Sequence, residues 1–63
     1  MNIQEGDKVK IIDGSEAHGD TGIVWFIQSD GIIIVELDAN EEKGIVEGTC
    51  WPILEENELE IIE

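Results

Sequence analysis

The chain has 63 residues and a net charge of −13, from sixteen acidic residues against Lys8, Lys10 and Lys43, with no arginine. That length allows one domain spanning residues 1–63 with a modest core. The charge argues against partners recognised by Lys and Arg, namely phosphate backbones and anionic membranes. Hydrophobic residues make up 41% of the chain, more than acidic disordered segments carry, and twelve Ile beside four Val favour strands.

In chain order, Asp7 to Ile12 alternates, with Val9 and Ile11 on one face and Lys8 and Lys10 on the other, which predicts a half-buried strand. Asp13-Gly14 ends it, and Ser15 to Asp20 reads as a polar loop. Gly22 to Gln28 predicts a second strand, Asp30-Gly31 a two-residue hairpin turn, and Ile32 to Leu37 the returning strand. Asp38 to Gly44 is a second polar loop. Ile45 to Cys50 predicts a fourth strand, ended by Trp51-Pro52. Leu59 to Ile62 is a short last strand inside an acidic tail. The expected class is all-β.

A turn at Asp30-Gly31 pairs Gln28 with Ile33, Ile27 with Ile34, Phe26 with Val35 and Val24 with Leu37. Paired residues share a face. Val24, Phe26, Ile33, Val35 and Leu37 then lie on one side, and Ile23, Trp25, Ile27, Ile32 and Ile34 on the other. Only one side of a small sheet can point inward. The second set is therefore expected outside, as a partner-binding patch or as a face covered by a neighbouring loop.

Gly6 to Ile27 contains Gly-Asp-Lys-Val-Lys-Ile-Ile-Asp-Gly, a short loop, then Gly-Asp-Thr-Gly-Ile-Val. This string resembles the KOW motif, which opens a small SH3-like barrel, and Glu-Leu-Glu-Ile-Ile near the end is similar to that fold's short last strand, which pairs beside the first. The resemblance implies a five-stranded SH3-like barrel. It places Gly14, Gly19 and Gly22 at the family's glycine positions and Val9, Ile11 and Val24 in its core. Gly31 is the structural glycine of the central turn. Two departures matter. Gly14 and Gly19 enclose four residues where the family pattern has three. The loop carries Glu16, His18 and Asp20 where nucleic-acid-binding members carry basic residues.

His18 is the lone histidine and Cys50 the lone cysteine. No nucleophile motif accompanies His18, and it is expected exposed. Cys50 excludes an internal disulfide, which fits a reducing cytoplasmic setting, and is expected as a buried thiol. The two supply too few soft ligands for a closed zinc site. Trp51 either binds a ligand or seals one end of the barrel. No secretory leader, membrane span or lipidation motif is read in the chain.

These observations predict no enzymatic activity, no metal and no cofactor. The leading expectation is a protein-interaction module, an accessory subunit or adaptor, that binds another protein of basic character or pairs with itself as a homodimer, with no direct contact to nucleic acid or membrane. An alternative is an acidic nucleic-acid mimic, of the kind phage and mobile elements encode, acting through a surface of Glu16, Asp20, Glu55, Glu56, Glu58 and Glu60. A second alternative is a KOW-type protein of transcription or translation.

Overall fold

The computed structural model describes residues 3–14 and 17–62. Five strands, β1 (Lys8–Ile11), β2 (Thr21–Ile27), β3 (Ile33–Leu37), β4 (Cys50–Ile53) and β5 (Leu59–Ile61), form one antiparallel sheet in the order β4-β3-β2-β1-β5. Two short 3-10 turns, Glu41–Lys43 and Glu56–Glu58, precede β4 and β5. The protein is all-β, and β4 and β5 are the sheet edges, with no ladder between them to close it.

Alternation in the strands builds the core. Val9–Gly22–Leu37, Val24–Val35–Trp51 and Ile27–Ile33–Ile53 form inward rows across the strands, and Ile11 pairs Leu59. Val9, Ile11, Val24, Ile33, Val35, Leu37, Ile53 and Leu59 are buried in one cluster to which all five strands contribute, with Ile3 and Ala17 added from the loops. A single sheet can gather the inward side chains of every strand only by curving strongly, and Gly22 marks where it does. A Cβ at Gly22 would lie 2.9 Å from Val35 Cγ1 and collide with the backbone oxygen of Glu36. Gly19 sits at φ +91° in the Ala17–Asp20 turn, whereas Gly14 has no positive φ and a Cβ there would meet nothing within 4 Å among the described residues.

The central hairpin differs from the sequence expectation in two ways. Its loop has three residues, not two. Gly31 N–H donates to Gln28 O and Gln28 N–H to Ile32 O, with Gly31 at φ +95°. Among the described residues no non-glycine has positive φ, so Asp30 does not take the left-handed conformation that the two-residue turn requires; a type I turn closed by a left-handed glycine forms instead. Ile27 therefore faces Ile33, and Phe26 faces Ile34. The second difference is a β-bulge between Val24 and Phe26, which leaves Trp25 as the extra residue, so that Val24 faces Val35. A bulge changes the side on which the following residues fall.

The fourth strand also moves. Ile45 forms only an isolated bridge to Asn40, Val46 to Thr49 is a turn with Gly48 at φ +89°, and β4 begins at Cys50. Pro52, expected to end the strand, lies within it. Leu37 N–H donates to Thr49 O, so the alternation of the ladder puts Ile34–Pro52 at a non-hydrogen-bonded pair. Proline loses no bond there, and its missing N–H faces the free edge, where it discourages addition of another strand.

Candidate functional site

Among the described residues, two places gather side chains suited to recognition. The first is the outer face of β2 and β3. Its outward rows are Lys8–Ile23–Glu36–Cys50 and Phe26–Ile34–Pro52, with Trp25 beside them on the bulge. Trp25 is 62% exposed and Phe26 48%. Their ring centroids are 6.2 Å apart with the planes tilted by 59°, within the range of aromatic pair contacts. Ile23 is exposed and Ile34 half-buried. Of the loop from residue 15 to 20, the described Ala17 and Asp20 line a notch with Leu37 and Trp51 of the inward rows, and Trp25 stays open.

The predicted outer set is thus corrected in part. Ile23, Trp25 and Ile34 lie on the outer side. Ile27 turns inward and packs against the core, and Ile32 is a half-buried loop residue that accepts the Gln28 N–H. Phe26, expected inside, takes the outward place because the bulge reverses the alternation after Trp25. Glu5 reaches the same end of the hairpin, where its Oε2 accepts the Ile27 N–H at 3.1 Å.

The second place is a notch of about 140 Å³ on the inner side, at the end of β3 and β4. Ala17, Leu37, Ile45 and Trp51 form its apolar walls; Asp20, Lys43 and Thr49 supply the polar atoms. Local structure places each of them. The Ala17–Asp20 turn is tied to β1 by Gly19 N–H to Ile11 O and Ile11 N–H to Asp20 O, which sets Asp20 against the core. Asn40 Oδ1 caps the Glu41–Lys43 turn through the Glu42 N–H, and two backbone bonds join Asn40 to Ile45. That clamp holds Lys43 Nζ 2.9 Å from Asp20 Oδ1. The Asp20 side chain is only 6% exposed, so it leaves the predicted acidic surface. A buried carboxylate needs a partner, and sequence reasoning missed that Lys43, 23 residues away, provides one. Trp51, the predicted seal, is half-buried, packs on the core and walls the notch.

Among the other predicted acids, Glu16 lies outside the described residues, while Glu55 and Glu60 are exposed. Glu56 accepts the Ile3 N–H and Glu58 the Glu55 N–H. Asp7 and Asp30 likewise accept the amides of Gln4 and Ile32. Asp38 takes Thr21 Oγ1–H at 2.7 Å and Lys8 Nζ at 3.6 Å. Several carboxylates are therefore positioned by the turns they cap.

The chain matches no protein-family model, no curated protein and no solved structure. His18 is exposed, with Nδ1 against Asp13 O. Cys50 is exposed rather than buried, because it starts an edge strand on the outward row opposite Glu36. Among the described residues no group of three or more His, Cys, Asp or Glu gathers as a metal site, and no helix is long and apolar enough to cross a membrane.

Proposed function

We infer that this chain is a non-catalytic protein-interaction module of SH3-like, KOW-like architecture: a cytoplasmic accessory subunit or adaptor that docks a basic partner protein on the outer face of its central hairpin. The architecture draws support from β5 lying beside β1 after a short turn, the layout that the motif resemblance implies.

The observation that carries the function is Trp25 held outward on a β-bulge, 62% exposed, next to Phe26, Ile34 and Pro52. Bulges re-aim side chains, tryptophan is enriched among residues that dominate binding energy, and contiguous apolar surface on a small protein marks an interaction site. The chain's net charge of −13, with Glu36 in the adjoining outward row, favours a partner whose contact is ringed by Lys and Arg. Self-pairing would bring together two chains of net charge −13, so the face is assigned to a different, basic protein. The nucleic-acid-mimic reading is less favoured, because Asp7, Asp30 and Glu58 accept backbone amides two or three residues away, and Glu5 and Glu56 accept the distant amides of Ile27 and Ile3. Bonds to backbone amides, not the spacing of a phosphate row, set their positions.

The test is the double variant Trp25→Ser, Ile34→Ser. It should keep the parent's β circular dichroism and cooperative melting, and lose the partner identified by tagged pull-down and mass spectrometry. Binding should weaken between low and high salt. If the variant unfolds, these residues are core and the reading fails; if it keeps the partner, the interface lies elsewhere. A dimer that the double variant abolishes would replace the adaptor with a self-paired protein, and co-eluting nucleic acid released by salt would favour the KOW-type alternative.

A further inference from the structure

We propose that the notch beside Trp51 is a second recognition site, which takes one apolar side chain presented on a Lys- or Arg-bearing segment of a partner protein. It lies on the inner side of the sheet, away from Trp25, and does not depend on the hairpin face.

Size limits the occupant. Small-molecule pockets commonly enclose about 300–1,000 Å³, whereas an apolar cavity of about 150 Å³ takes a group the size of benzene. At about 140 Å³ the notch suits one leucine- or phenylalanine-sized side chain. Chemistry limits it further. Ala17, Leu37, Ile45 and the Trp51 indole make the walls apolar. Asp20 is already neutralised by Lys43 at 2.9 Å, so the floor calls for no charge on the inserted group.

The chain neighbours of the lining residues decide what flanks that group. Glu41 and Glu42 precede Lys43 in its 3-10 turn, and Glu47 lies in the turn leading to Thr49; all three are exposed. An apolar anchor with basic neighbours complements these exposed carboxylates, whereas a second copy of this chain, also of net charge −13, would meet them with like charge. The Asn40–Ile45 bonds and the Asp20–Lys43 pair set the walls in advance, which lowers the ordering cost of binding.

The test titrates isotope-labelled protein with acetyl-Lys-Lys-Leu-Lys-Lys-amide, the same peptide with Ala for Leu, and acetyl-Glu-Glu-Leu-Glu-Glu-amide, followed by NMR. The two tryptophans, Trp25 and Trp51, report the two sites separately through their indole N–H signals. The basic Leu peptide should shift Trp51, Ile45 and Thr49 with millimolar affinity, as one small anchor group allows. The Ala peptide should bind about tenfold or more weakly, for the lost apolar burial. The Glu-flanked peptide should not bind, and raising salt from about 50 to about 500 mM should weaken the complex several-fold. Ile45→Phe, which fills the notch, should abolish the Trp51 shift; Trp25→Ser with Ile34→Ser should leave it intact. Should Ile45→Phe not fold, the peptide comparison on the parent protein decides. Equal binding of the Leu and Ala peptides, binding of the acidic peptide, or no Trp51 shift up to about 10 mM peptide overturns the proposal. Shifts confined to Trp25 also overturn it, while locating the peptide on the hairpin face.

Discussion

At Gly22 the constraint is contact rather than dihedral angle, since β3 backbone occupies the space where a side chain would begin. Gly22→Ala should lower stability by about 1–3 kcal/mol, the usual cost of overpacking, seen as a lower urea midpoint at unchanged slope. Gly14→Ala, where a new Cβ meets nothing within 4 Å, should stay within about 0.5 kcal/mol of the parent. The lysines divide in the same way. Lys43→Met strands the carboxylate of Asp20, whose side chain is 6% exposed, and should cost about 1–3 kcal/mol. Lys8 and Asp38 are each about half exposed and 3.6 Å apart; Lys8→Met should change stability by less than about 0.5 kcal/mol, because water already screens that pair. Both are read from equilibrium urea unfolding. A charge count treats the two lysines alike, and only burial separates them.

The bulge in β2 is the element-level feature that sets the candidate surface. Trp25 is the residue without a partner opposite it: Val24 pairs Val35 and Phe26 pairs Ile34. Deleting Trp25 should therefore leave a folded protein with an uninterrupted β2–β3 ladder, detected by cross-strand NMR contacts between consecutive pairs, and with the hairpin-face binding lost. An unfolded deletion would mean that the bulge itself maintains the sheet's curvature. The strands β1, β2, β3 and β5 were legible from alternation and turn residues to within a residue or two. β4 was not, because Pro52 reads locally as a breaker and only its place on a sheet edge makes it harmless. The outer face was legible as an apolar second side, but its membership was not, since a bulge has no composition of its own here.

For the whole molecule, charge sets how stability responds to salt. With a net charge of −13 on 63 residues, self-repulsion acts against the compact state. The screening length falls from about 30 Å at 0.01 M salt to about 10 Å at 0.1 M. The melting temperature should rise across that range, measured by circular dichroism in sodium chloride. A flat or falling trend would mean that local pairing, as seen for Asp20 and Asp38, outweighs the net repulsion.

The sequence by itself determined the all-β class, the inward positions of Val9, Ile11, Val24, Ile33, Val35 and Leu37 in β1 to β3, and the acidity of the surface. These follow from side-chain period, β-branched content and charge, which are local or additive properties. Tertiary structure alone decided that Phe26 faces out and Ile27 in, that Asp20 is buried against Lys43, and that Trp51 walls a notch. Each of those depends on where a distant strand or turn lies. A one-residue bulge reverses the facing of every residue between it and the turn, and a buried carboxylate is tolerated only when the fold brings a cation to it.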